Sequence, residues 1–147
     1  MADHERFARV STVLSRSFGR ISRDAARAGD VTPQQAETLL VIAERGAMST
    51  SAIAQVLGID PSTASRNLAG LENPSDRDRK GGFITRKKDT EDGRQTDIRL
   101  TPRGRRTVDA ITESNEKLFG AVLERLPKND RAKFFDVLDQ VAKALGG

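Results

Sequence analysis

Ser62, Thr63, Ser65 and Arg66 place three hydroxyls and one guanidinium within a single helical turn and a half. These groups hydrogen-bond to base edges and to phosphate oxygens. A guanidinium fork also matches the O6/N7 edge of guanine, which makes Arg66 the candidate for a bidentate guanine contact. At helical spacing, Pro61, Ser62, Ser65, Arg66 and Ala69 share one face, while Ala64, Leu68 and Leu71 line the opposite one. The outer face is small, polar and basic, with no acid until Glu72. Thr50 and Ser51, early in the helix before it, suit a phosphate held with help from backbone N–H groups. Further on, Lys87 and Lys88 suit phosphates. Arg94, just after Asp92-Gly93, suits the negative potential of a minor groove, with Asp92 holding it by a local ion pair.

These groups need a scaffold, and Ser49 to Glu72, STSAIAQVLGIDPSTASRNLAGLE, supplies the core of one. Ala52, Ile53, Val56 and Leu57 give a first short helix an apolar face. Gly58 stands where a C-cap glycine belongs. Asp60-Pro61 opens a second helix, with Asp as N-cap and Pro at the first helical position. Two short helices braced across a glycine turn suit entry of the second into a major groove, with the positive end of its dipole toward the DNA. An ordinary helical hairpin is the plain alternative. Against it stand the small outer face, the basic hairpin that follows and the local charge.

The chain has 147 residues, 36% of them hydrophobic and 31% charged. That is a modest core for the length, as expected of extended helices or a core shared between subunits. The formal charge is +4, yet Asp76 to Arg106 alone carries +5. A local basic stretch of this kind fits a polyanion partner. With no cysteine, disulfides, thiolate metal sites, thiol redox sensing and Cys catalysis are all excluded. No apolar run approaches the roughly 18 residues of a membrane span. The expectation is a soluble, cytoplasmic protein. Enzyme chemistry is poorly supplied. The lone histidine, His4, sits near a terminus, Gly81-Gly82 lacks the Lys-Ser/Thr of a phosphate-binding loop, and zinc would need an all-carboxylate site. No catalytic residue, cofactor or metal is expected.

In chain order, Ala2 to Ala28 reads as one helix, with Phe7, Val10, Leu14, Phe18, Ile21 and Ala25 recurring at steps of three and four. Such a helix spans roughly 40 Å, too long for one small core, so part of its seam should meet another subunit. Thr32-Pro33-Gln34-Gln35 is a capping-box helix start, with Ala36, Leu39, Leu40 and Ala43 as the buried face. After the two central helices, 73–82 reads as a polar loop. Phe83–Arg86 and Gln95–Leu100 read as a β-hairpin around Asp92-Gly93, with Thr96, Ile98 and Leu100 facing in. Thr101-Pro102 starts a long helix running to about Leu126, with Val108, Ile111, Leu118, Val122 and Leu126 on one face. Pro127 breaks it. A last helix carries Phe134, Leu138, Val141 and Leu145. Phe7, Val10 and Leu14, with this last set, are the candidate dimerisation residues. Phe18 and Phe119 are candidates for lining an effector site, although core packing is the commoner fate of such residues.

The stretches LGIDPSTASRNLAGLE and FITRKKDTEDGRQTDIRLTPRGR resemble the MarR family of bacterial winged helix-turn-helix regulators. The second shows the family's wing pattern at Asp92, Arg94, Ile98, Leu100, Thr101 and Gly104. The resemblance implies a homodimer on a pseudo-palindromic operator, usually a repressor released by a small-molecule effector. It maps the recognition helix onto Pro61 to Arg66 and the wing arginine onto Arg94. The loop at 73–82 is longer than the short turn typical of the family.

The expected fold is therefore mostly α with a small β-hairpin wing. It forms one MarR-like domain over 1–147, with a winged helix-turn-helix at 31–100 and helical dimerisation regions at 1–30 and 101–147. The expected partners are double-stranded DNA, a second copy of the chain and a small effector, with no membrane. A helical protein-interaction module and a ligand-independent architectural DNA binder are the alternatives.

Overall fold

The computed structural model describes residues 1–72, 82–88 and 96–147. The expected 73–82 loop, apart from Gly82, and the hairpin tip with Asp92 and Arg94 lie outside the described residues. The chain forms two compact units, Met1–Ser114 and Asn115–Gly147.

The first unit begins with α1 (Asp3–Ala28) and α2 (Pro33–Arg45), followed by α3 (Thr50–Leu57) and α4 (Pro61–Glu72). Local chemistry sets their ends. Thr32 and Gln35 cap each other: Gln35 N–H donates to Thr32 Oγ1 at 3.2 Å, and Thr32 N–H donates to Gln35 Oε1 at 3.1 Å. Ala52 N–H donates to Ser49 Oγ at 3.1 Å. Gly58 ends α3 at φ 63°, ψ 33°, a left-handed conformation that glycine takes without a Cβ penalty. The chain then re-enters helix at Asp60-Pro61 within three residues.

Two strands follow, β1 (Ile84–Lys88) and β2 (Thr96–Leu100), paired antiparallel with Ile84 opposite Leu100 and Arg86 opposite Ile98. Met48 adds an unexpected bridge on the other side of β2: Met48 N–H donates to Ile98 O at 3.2 Å, and Ile98 N–H donates to Met48 O at 2.9 Å. The helix α5 (Pro102–Leu123) starts at once from β2. Its cap is Thr101 Oγ1, which accepts from Gly104 N–H at 3.0 Å and donates to Gly82 O at 2.7 Å.

One apolar core joins these elements through Leu39, Ile42, Ile53, Leu68, Leu71, Phe83, Ile84, Ile98 and Val108. A smaller cluster of Ala25, Ala26, Ala36 and Ile111 packs the end of α1 against α2 and α5. Some expected faces are rotated slightly. Ile42 is buried in place of Ala43, and Ala54 in place of Val56, which is 38% exposed. The burying stripe is displaced by one position in α2 and by two in α3, which apolar spacing among alanines does not resolve.

The second unit holds the last part of α5, a 3-10 turn at Lys128–Asp130 and α6 (Arg131–Ala144). The helix α5 stops at Leu123, short of the expected Leu126, and Arg125 and Leu126 bond back to Val122 and Leu123 in a closing turn ahead of Pro127. Leu145 stands just past the end of α6 and is exposed, so it is not part of that helix's face. Phe134 and Phe135 meet at 5.7 Å between ring centroids. Val122, expected on the apolar face of α5, is exposed. Among the described residues no helix is long and apolar enough to cross a membrane, and no group of three or more acidic or histidine side chains is placed to hold a metal ion.

Candidate nucleic-acid interface

Ala64, Leu68 and Leu71 are fully or almost fully buried, which fixes the rotation of α4. With that stripe inward, Pro61, Ser62, Ser65, Arg66 and Ala69 are exposed together on the other side, and Thr63 is half-buried beside them. Two polar links hold the helix in this orientation. Asn67 donates to Thr38 Oγ1 and, at 3.4 Å, to Gln34 O, tying α4 to α2. Arg86, on β1, donates to Ser65 O at 3.4 Å and places its Nε 3.0 Å from Glu72 Oε2. That Nε–H does not point at the carboxylate oxygen, so the contact is a charge attraction and not a further hydrogen bond. The hairpin and α4 are thus joined by one arginine that touches the helix at two places.

The N-terminus of α4 carries a dense network. Asp60 Oδ1 accepts from Ser62 Oγ and, at 2.9 Å, from Thr63 N–H; Asp60 Oδ2 accepts from Thr63 Oγ1. The hydroxyls of Ser62 and Thr63, with the Thr63 N–H, hold the Asp60 carboxyl well below the usual carboxylate range, since each donor favours the charged form. Arg66 in turn donates from Nη2 to Thr63 Oγ1 at 3.3 Å.

The remaining candidates are distributed around this face. Ser51 is exposed and Thr50 half-buried at the start of α3, and Lys87 is exposed on β1. Lys88 belongs to β1 through its backbone. Phe7, Val10, Leu14 and Phe18 are exposed along α1, as are Phe119 near the end of α5 and Phe134 and Leu138 on α6, while Val141 is half-buried.

Comparison with known proteins bears on this arrangement. Residues 31–96, which run from the start of α2 into β2, match the model of the MarR family. The match takes in a little under half of the chain, which is similar to the MarR family over this stretch. A relative from Bacillus subtilis (strain 168), described as an uncharacterized HTH-type transcriptional regulator, YdgJ, is 25% identical over 108 residues, or 74% of this chain. The chain spans 62% of the length of that relative. A MarR family protein from Bacillus stearothermophilus superposes with a TM-score of 0.80 at 17% identity, covering 100% of both chains. The S. aureus MepR–DNA complex superposes with a TM-score of 0.71 at 19% identity, covering 98% of this chain and 99% of that one. At these identities the structural likeness establishes the winged helix fold.

Within this winged helix fold, one site residue escapes a reading of the sequence and a second shows only part of its role. Arg86 falls in a strand read only as apolar-polar alternation, and nothing local shows that it reaches a helix fourteen to twenty-one positions earlier. Asp60 is legible as a cap. Its two further hydroxyl donors were also within reach, because Ser62 and Thr63 follow at the spacing of an Asx turn.

Proposed function

We propose that this protein is a regulator of the MarR family that binds double-stranded DNA sequence-specifically, acting as a homodimer whose two α4 helices enter successive major grooves. The single observation that carries this reading is the exposed row of Ser62, Ser65 and Arg66, opposite the buried Ala64, Leu68 and Leu71. A helix rotated this way and tied to its neighbours by Asn67 and Arg86 offers hydrogen-bonding groups to base edges without moving. The assignment of roles follows from chemistry. Arg66 reads guanine; Ser62, Thr63 and Ser65, next to Pro61, lie against bases; Thr50, Ser51, Lys87 and Lys88 hold phosphates. Asp92 and Arg94 form the wing tip in this proposal. The S. aureus MepR–DNA complex supports it in that a protein of the same fold binds DNA.

The exposed apolar side chains of α1 and α6 support dimerisation. Phe7 is 55% exposed and Phe134 40%, and an uncovered apolar seam on a helix is stabilised by a partner. Residues 1–30 and 101–147 are the proposed dimerisation regions. Two-fold pairing would set the recognition helices about 34 Å apart, one turn of DNA, and so favours a pseudo-palindromic operator. Repression relieved by a small effector is the regulatory mode proposed, with Phe18 and Phe119 as lining candidates.

Selection of bound sites from random duplexes, followed by gel-shift titration over salt, tests the reading. The expected outcome is a two-fold-related site bound at least about a thousandfold more tightly than bulk DNA. Arg66→Ala should cost about 1–3 kcal/mol on that site and relax preference at one base pair per half-site. A bound pool with no enriched sequence would contradict the proposal and favour the architectural alternative.

A further inference from the structure

The hydroxyls at the start of α4 are not free to donate. An ionised carboxylate has only lone pairs, so a hydroxyl within hydrogen-bond distance of it must supply the proton. Ser62 Oγ and Thr63 Oγ1 both lie on Asp60, one on each carboxylate oxygen. Their single protons are therefore spent inside the turn, and what they turn outward is lone pairs. On Thr63 one lone pair already accepts from Arg66 Nη2 at 3.3 Å. Asp60, Thr63 and Arg66 thus form a chain in which the carboxylate fixes the direction of the hydroxyl and the hydroxyl holds the guanidinium against the helix.

We infer that Asp60 sets the hydrogen-bond polarity of the recognition face, making Ser62 an acceptor-only reader of amino-bearing bases and making Thr63 a positioning residue for Arg66. The inference rests on the proposed DNA-binding role of α4 and adds which edges the face accepts. In the major groove the donors are adenine N6 and cytosine N4, while guanine offers N7 and O6 and thymine O4, all acceptors. A Ser62 whose proton is held by Asp60 pairs with the first two and meets the others lone pair to lone pair. For the same reason it cannot donate to a phosphate oxygen. Thr63 contributes through Arg66: a guanidinium held on one side by a hydroxyl keeps its remaining N–H groups in a fixed fork, and a fixed fork loses less freedom on pairing with guanine.

The ionisation state fits, since the carboxyl is held well below its usual range by these same hydroxyls. Asp60 also places a negative charge at the face that meets phosphates, which costs non-specific affinity. The network is therefore a device for discrimination and not for raw attraction.

The test compares sites selected from random duplexes by the full-length wild type and by Asp60→Ala, Thr63→Val and Thr63→Ser. Thermal midpoints and affinity for a scrambled duplex are measured alongside. Alanine at position 60 accepts from neither hydroxyl, so both protons are free to turn outward, and the thermal midpoints report the lost cap separately. In Asp60→Ala, the preference for adenine or cytosine over guanine or thymine at one half-site position should fall about tenfold, the size of a single lost base contact, while binding to the scrambled duplex rises. Thr63→Val should lower the guanine preference at the Arg66 position severalfold, and Thr63→Ser should keep it. These base preferences would not respond to a purely structural role. If wild type selects a site and Asp60→Ala selects it with the same base preferences, the polarity argument is overturned. If Thr63→Val keeps the full guanine preference, the positioning role is overturned. If wild type itself enriches nothing, the fault lies in the proposed function.

Discussion

Gly104→Ala should separate the hairpin base from the start of α5, and its cost can be worked from geometry. A Cβ on Gly104 would stand 2.0 Å from Phe83 O and 3.0 Å from Phe83 C, both backbone atoms, and 3.3 Å from Leu100 Cδ2. Backbone cannot swing aside as a side-chain tip can, so either Phe83 or the first turn of α5 must shift by about 1 Å to restore van der Waals distance. Phe83 O is also the acceptor of Thr101 N–H at 3.0 Å, and Thr101 Oγ1 caps Gly104 N–H. The shift therefore threatens one backbone hydrogen bond, worth about 1 kcal/mol, and one helix cap, worth about another. Overpacking strain adds about 1–3 kcal/mol. A total of about 3–5 kcal/mol is a large share of the roughly 5–15 kcal/mol of a native protein. With a urea slope of about 2 kcal/mol per molar, the unfolding midpoint should fall by about 1.5–2.5 M. Urea denaturation followed by far-UV circular dichroism reads this, at one fixed protein concentration so that any oligomerisation contributes equally. A midpoint within about 0.3 M of wild type would show that Phe83 and α5 do not approach as closely as the argument requires.

Three further outcomes follow from the same geometry. Leu68, with no exposed surface, holds the outer face of α4 in place; Leu68→Ala should cost about 2–5 kcal/mol in urea denaturation, and a cost below about 1 kcal/mol would mean the helix is not anchored there. Lys87→Ala should weaken binding to all duplexes alike and reduce the steepness of the log K against log salt line by about one unit; an unchanged slope removes Lys87 from the phosphate contacts. The third concerns pH. Asp60 has a folded value below its unfolded one, so its contribution is complete above the ordinary aspartate value of about 3.9 and is lost as pH falls toward the depressed folded value. The stability gap between wild type and Asp60→Ala should therefore be flat near neutrality and close in acid; a gap that widens in acid would reverse the sign of the linkage.

What the sequence disclosed and what it withheld divide along physical lines. Caps and turns were legible because they are local: Thr32 with Gln35, Ser49, Gly58 and Asp60-Pro61 each announce a helix boundary through bonds spanning three or four residues. The buried stripe of α4 was legible because Leu68 and Leu71 are large and stand among small polar neighbours. The stripes of α2 and α3 fall one and two positions from the expected Ala43 and Val56, since alanine and valine occupy either side of a helix at little cost. The Met48 bridge to Ile98 was invisible: a single pair of hydrogen bonds across fifty positions leaves no pattern in a neighbouring segment. Arg86 was invisible for the same reason. In the site, residue types and spacing named the polar face of α4, but not the direction of its hydroxyl protons, which depends on which oxygen of Asp60 each side chain reaches.

These long-range links matter because a helix that reads DNA must resist rotation. One residue of slip turns the α4 face by about 100°, which would exchange Arg66 for Asn67 at the surface. Apolar burial alone resists this weakly at the small residue Ala64, where the stripe is narrow. The polar links act on the two flanks of the helix. Asn67 bonds to α2 on one side, and Arg86 reaches Ser65 O and Glu72 from β1 on the other. Either flank alone restrains the turn, and only the loss of both releases it. Removing the two links in one protein should then cost more specificity than the sum of the single losses, since neither Asn67→Ala nor Arg86→Met by itself frees the helix to turn. Site selection with the two single variants and the double one measures that coupling, and simple additivity would show that the apolar stripe alone fixes the face.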